Sequence, residues 1–206
     1  PGGYDHAVWG ADVVLAPLNL CVETLDAIRN HSWNRPAPLT PEGEVVAWAD
    51  RIAYCCHDFE DAVAAGIVTP EELPTEVREV IGSDRRTQLH RLITAMVESI
   101  RDAGVVGLRS PEADALAAFR SFNYERIYLR PDSVDQADRA ARLIGGLAEY
   151  YCTHPAALPD GAGLCAGTPE ATAEAVRYVS GMTDRFANRA GVELLGWSVE
   201  ALPRTA

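Results

Sequence analysis

Asp50, Tyr54, His57, Asp58 and Asp61 recur at spacings of three and four within the stretch Pro38 to Asp61. At about 100° per residue they fall within one helical stripe roughly 100° wide. Val45, Ala49, Ile52, Cys55, Cys56, Phe59 and Val63 crowd the opposite side. Carboxylates can hold a cation or move protons, an imidazole titrates near neutrality, and a phenol offers an apolar body with a polar tip. Solvated helix faces are usually filled with Glu, Lys, Gln and Arg, whereas Asp and Tyr are poorer helix formers. The residues alone read equally as a carboxylate-rich site and as a surface.

A second constellation lies in 112–131. Arg120, Tyr124 and Tyr128 stand at i, i+4 and i+8, so a cation and two phenols share a helical face. Ordinary packing with the polar tips reaching solvent is the commoner outcome for such a set. His6 sits where the loose opening Pro-Gly-Gly-Tyr-Asp-His turns into an apolar segment through Val13, Val14 and Leu15. A lone histidine is more often structural than catalytic. Two stretches mislead. Gly161 to Gly167 is glycine-rich but follows Pro159-Asp160 and lacks a Lys-Ser/Thr pair, so it reads as a loop. Arg85, Arg86, His90 and Arg91 read as a solvated basic face.

The elements that must position these residues are helices. Asn19 to His31 carries Leu20, Val22, Leu25 and Ile28 at helical spacing, and 84–103, 112–127, 133–153 and 169–189 repeat the pattern. Starts recur with one chemistry: Thr40-Pro41-Glu42, Thr69-Pro70-Glu71, Ser110-Pro111-Glu112 and Thr168-Pro169-Glu170. Each supplies a hydroxyl cap, a proline for the first helical position and an acid for the positive end of the dipole. Thr69 with Glu72 also makes a capping box. Gly66, Gly104 and Gly191 are expected stops. The expectation is an all-α protein of about seven helices, with Val105-Val106 too short for a sheet.

Composition bounds the function. The chain has 206 residues, 48% hydrophobic and 23% charged, enough for a sizeable core. A net charge of −12 disfavours a nucleic-acid binder, which needs a basic surface, so an anionic ligand would require local cations. Five cysteines without a Cys-x-x-Cys make no disulfide framework or zinc knuckle and are expected to be reduced packing residues. No apolar run approaches the ~18 residues of a membrane span and no signal-peptide pattern opens the chain, so a soluble, cytoplasmic protein is expected. The chain begins Pro-Gly-Gly rather than with Met, as a portion of something longer would.

The run Val45 to Asp61 resembles a motif of the bacterial deoxyguanosinetriphosphate triphosphohydrolases and their HD-domain relatives, the metal-dependent dNTP triphosphohydrolases. Gly2-Gly3-Tyr4-Asp5-His6, Glu125 to Pro131, Glu149 to Pro155 and on through Pro159, and Tyr178 to Ala187 resemble further stretches of that family. The resemblance implies an HD-domain-like helical bundle. It treats 1–206 as a single helical domain, with 1–65 the remainder of the HD core and 66–206 a helical C-terminal region. It implies hydrolysis of a dGTP-like deoxynucleoside triphosphate to deoxynucleoside and inorganic triphosphate. Asp50 would be the last ligand of a Mg²⁺ or Mn²⁺ site, and Arg51 and Arg120 phosphate contacts. Tyr54 and Asp58 would meet the triphosphate and sugar region, Tyr128 would pack near the sugar and its 3′-hydroxyl, and His6 would be the acid-base histidine. His57 and Asp61 fall to supporting roles.

In that family the other metal ligands, a His and a His-Asp pair, precede the Gly-Gly-Tyr-Asp-His segment. The chain is therefore expected to be catalytically incomplete, the C-terminal part of an enzyme whose N-terminal HD segment would be a partner. It also departs from the family after His6, where Ala7, Val8, Trp9 and Asp12 replace the usual Asn-Ala-Gln and a later basic residue. Homo-oligomers, commonly hexamers, are implied as well. The competing expectation is a non-enzymatic helical module that binds a nucleotide or a partner protein.

Overall fold

The computed structural model describes residues 5–204. Gly2, Gly3 and Tyr4 of the opening motif lie outside the described residues. Helices account for the architecture, and no strand occurs among the described residues. The chain divides into two compact units, Pro1–Tyr128 and Leu129–Ala206.

In the first unit α1 (His6–Trp9) runs into a π-helical turn (Gly10–Val14), followed by α2 (Val22–Asn30) and the long α3 (Pro41–Ala64). Then come α4 (Thr75–Val80), α5 (Arg85–Ala103) and α6 (Glu112–Asn123). The hydroxyl of Thr40 accepts from the Gly43 N–H at 3.2 Å and starts α3, as its sequence predicts. Thr69 and Glu72 form their capping box, although the element they start is only the 3₁₀ turn Pro70–Glu72. At Ser110-Pro111-Glu112 the expected cap does not form. The peptide bond there is cis, the Ser110 hydroxyl donates to Asp114 at 2.6 Å, and the helix begins at Glu112. Asp84 caps α5 by accepting from the Thr87 N–H at 3.0 Å, and Gly104 ends it at φ +65°.

Helix α3 packs against α2, α5 and α6. Its buried side is Ile52, Cys55, Cys56 and Phe59, with the Phe59 ring edge-on to Phe119 and Phe122 of α6. Val45 and Ala49, expected on that side, are exposed, because the part of α3 before Ile52 buries Gly43 and Ala47 instead, Gly43 lying against Ala27 of α2. The segment 112–127 is not one α-helix. Hydrogen bonding changes at Asn123, and the chain continues as a π-helical turn, Tyr124–Tyr128. Such wider turns concentrate at functional sites.

In the second unit α7 (Pro131–Thr153) packs on α8 (Pro169–Ser180) and α9 (Asp184–Leu195). Leu143, Leu147, Tyr151, Ala175, Val179 and Ala190 form its core. The expected helix 169–189 is two helices. The Thr183 hydroxyl accepts from the Phe186 N–H at 3.3 Å, and this cap starts a new helix while the apolar spacing runs on. Gly191 is not a stop but lies inside α9, where a Cβ would come within 2.6 Å of Leu143 Cδ1, so the missing side chain admits the neighbouring helix. The stop is Gly196, at φ +68°.

All five cysteines are free. Cys55 and Cys56 are buried packing residues, but Cys21 and Cys165 are exposed, contrary to the expectation that all five pack. No helix among the described residues is long and apolar enough to cross a membrane.

Candidate functional site

The candidate residues on α3 do not all face one place. Arg51 lies between two indoles, its guanidinium carbon 5.1 Å from the ring centre of Trp33 and 5.2 Å from that of Trp48. Arg120 of α6 reaches the same Trp33 ring at 4.5 Å and stands 5.4 Å from the Tyr124 ring. Two cations from different helices therefore meet on one indole. Each such contact is favourable by about 0.5–2 kcal/mol, more as water is excluded.

The array continues through the π-helical turn. The Tyr124 and Tyr128 rings lie 5.6 Å apart, edge to face, and Tyr128 lies 5.7 Å from Tyr54 of α3. The Tyr128 hydroxyl donates a hydrogen bond to Asp58 Oδ2. Burial first, then the Asp58 bond, holds the Tyr128 phenol well above its ordinary value, so it remains a donor. Below this wall, Asn123 Nδ2 donates to the Cys55 carbonyl at 2.9 Å and ties α6 to α3. Burial pushes the Cys55 and Cys56 thiols up to about 12, which keeps them neutral. Arg120 opposes that shift at Cys55 and Asp58 reinforces it.

Arg51, Tyr54, Asp58, Arg120 and Tyr128 are thus brought into one contiguous group. The remaining candidates lie outside its contacts. His57 Nδ1 is 3.4 Å from Arg85, whose guanidinium also pairs with Glu60 at 2.5 Å, so the stripe splits and Arg85 is not simply solvated. Asp50 and Asp61 are exposed. His6 is exposed on α1, with its Nε2 3.3 Å from the Nε2 of His31. His31 Nδ1 lies 2.7 Å from the Ile28 carbonyl, which can only accept, so the proton of a neutral His31 sits on Nδ1. His31 Nε2 then accepts from the Nε2–H of His6.

Among the described residues no three of His, Cys, Asp and Glu are grouped as a metal ion requires. Zinc centres take three or more protein ligands, so these residues on their own make no such centre, whereas Mg²⁺ is commonly held by one or two carboxylates together with waters and substrate phosphates. A cavity of about 460 Å³ lies in the second unit, lined by Leu143, Ile144, Val179, Met182, Asp184 and Asn188 among others, and none of the Arg51–Tyr128 group lines it. The chemistry-bearing side chains, rather than this cavity, define the site.

Trp33, Trp48 and His31 escaped the sequence reading. Trp33 lies beyond the end of α2, in the connection to α3, where no periodicity registers it, and His31, expected as the last residue of that helix, is its C-cap. Trp48 stands three residues before Arg51, a spacing that places it on the same helical face and could have revealed it.

Residues 106–191 match the model of the phosphohydrolase-associated domain. The deoxyguanosinetriphosphate triphosphohydrolase-like protein of Clostridium perfringens (strain SM101 / Type A) is 30% identical over 207 residues, covering 90% of this chain and 58% of that protein. Its namesake in Caldanaerobacter subterraneus is 28% identical over 195 residues, covering 90% and 56%. The one in Ruegeria sp. (strain TM1040) is 30% identical over 253 residues, covering 90% and 67%. The chain spans somewhat more than half the length of the first two of these curated relatives. With an all-α fold, and with these matches running along nine-tenths of its length, the chain belongs to the deoxyguanosinetriphosphate triphosphohydrolase-like family of phosphohydrolases.

Proposed function

We propose that this chain supplies the substrate-holding wall of a phosphohydrolase that cleaves a deoxynucleoside triphosphate, dGTP or a close analogue, into deoxynucleoside and inorganic triphosphate. The observation that carries the reading is the meeting of Arg51 and Arg120 on Trp33, continuous with the Tyr124, Tyr128 and Tyr54 rings. Family membership supports the phosphohydrolase class.

The chemistry assigns each group a task. A triphosphate carries several negative charges, and guanidinium forks bind such oxygens bidentately; Arg51 and Arg120 take that role. A deoxyribose presents an apolar ring with few hydroxyls, matched by the phenols of Tyr54 and Tyr128. The Asp58–Tyr128 bond fixes the Tyr128 ring, so the wall is in place before substrate arrives. In the reaction, water attacks the α-phosphorus and the bond to the 5′ oxygen breaks. That oxygen needs a proton to leave, and His6 is the proposed donor. Asp50 would offer one carboxylate to a Mg²⁺ or Mn²⁺ ion, which when bound would polarise the phosphoryl oxygens.

The test is product analysis by ³¹P NMR with the full-length protein, each dNTP and Mg²⁺ or Mn²⁺. Inorganic triphosphate is the expected product, and Arg120→Ala is expected to lower kcat/KM by about a hundredfold. Release of pyrophosphate or orthophosphate instead, or unimpaired turnover in both Arg51→Ala and Arg120→Ala, would sink the reading. Binding of dNTP without turnover would favour the nucleotide-binding module.

A further inference from the structure

Two guanidiniums gathered on one ring repel each other, and proteins usually offset such a pair with a carboxylate. Among the described residues neither Arg51 nor Arg120 enters an ion pair. Asp58, about two helical turns beyond Arg51, is instead engaged by the Tyr128 hydroxyl. The element common to the two arginines is the Trp33 ring, at 5.1 and 4.5 Å. Moreover Arg51 Nε and Trp33 Nε1 are buried and have no hydrogen-bond partner, an arrangement that costs free energy unless something else accepts from them.

We infer that Trp33 is a positioning residue for the phosphate chain: its neutral π face gathers Arg51 and Arg120 from two helices while leaving their donors free for an oxyanion. A carboxylate at the same place would gather the arginines equally well but would occupy their forks and cancel their charge. An indole attracts cations through its quadrupole without competing for the N–H groups. Trp48 holds Arg51 from a second ring, at 5.2 Å, and so limits its rotation. The ligand class this arrangement fits is a linear polyphosphate, long enough to meet both arginines at once. The inference rests on the reading of this wall as the phosphate-holding part of a dNTP site, and it adds the residue that sets the spacing of the two cations.

The experiment uses inorganic triphosphate as the probe, titrated calorimetrically into the full-length protein without divalent metal and at fixed ionic strength. Position 33 is replaced by a series of increasingly fluorinated tryptophans, which weakens the π face while preserving shape and fold. Affinity is expected to fall stepwise along the series, by about tenfold at the most fluorinated member, and Trp33→Leu to lose at least as much. A purely structural tryptophan predicts no dependence on fluorination. A flat series alongside loss of binding in Arg51→Ala or Arg120→Ala overturns the role of Trp33 and leaves the phosphate reading standing. No binding by the wild-type protein, or unchanged binding in both arginine variants, overturns the phosphate reading itself.

Discussion

The two units solve the same packing problem with different materials. The second unit, Leu129–Ala206, buries Leu143, Leu147, Ala175, Val179 and Ala190, and admits its helices closely through Gly191. The first unit, Pro1–Tyr128, buries Asn30, Gln88, Ser99 and Asn123 as well as its apolar core. It also leaves Arg29 Nε, Trp33 Nε1, Arg51 Nε, Gln88 Oε1 and Asn123 Oδ1 buried without partners, where the second unit has Asn188 Oδ1 alone among the described residues. The second unit shows that helices of this length pack with almost no such groups. Two of those in the first unit, Trp33 Nε1 and Arg51 Nε, are donors that sit together at the candidate site, and an anionic ligand is what those two donors suit.

Substitutions can break that contrast, and the largest effect is expected in the apolar part of the first core. Phe119 is fully buried and its ring meets Phe59 at 5.4 Å, so Phe119→Ala is expected to cost about 3–5 kcal/mol in urea denaturation. Next is the tightest glycine of the second unit. A Cβ at Gly161 would lie 1.7 Å from the Pro155 carbonyl oxygen, so Gly161→Ala must move backbone, at a cost of about 1–3 kcal/mol. An unchanged denaturation midpoint would show that the second unit is looser than its packing implies.

Asn123→Leu sharpens the comparison. It removes the 2.9 Å bond to the Cys55 carbonyl that ties α6 to α3, and is expected to cost about 1–3 kcal/mol and to weaken dNTP binding. Stability loss with wild-type affinity would separate that polar group from the site.

The smallest effect near neutral pH concerns protons. Cys55 and Cys56 are pushed from 9.0 up to about 12 by burial, so the folded state favours the neutral thiols. That contribution is fully present below pH 9 and is lost as pH rises from there toward 12, because the unfolded chain releases these protons first. Tyr128, raised above its ordinary 10.0, adds a loss in the same direction above pH 10. Denaturation followed from pH 8 upward should therefore show falling stability, and a level profile would contradict it. Thiol labelling at pH 8 is expected to reach Cys21 and Cys165 in the native protein, but Cys55 and Cys56 only after unfolding.

The all-α class, the main helix starts and the identity of most residues in the Arg51–Tyr128 group are legible in the amino-acid order alone. These are local matters: a threonine before proline caps the turn that follows, as Thr40 and Thr168 do for their helices, and side chains three or four apart share a face. Local rules also misled where two of them competed, as at Thr183, whose cap interrupts an apolar spacing that would otherwise continue. Which faces meet emerges only from how the helices pack. The stripe on α3 divides, with Tyr54 and Asp58 turned to Tyr128 and His57 to Arg85. The π-helical turn sets the position of Tyr128, and Trp33, from a connection without periodicity, becomes the meeting point of two arginines 69 residues apart in sequence (120 − 51). Cation–π contact depends on distance in space, which spacing along the chain encodes only within one helix.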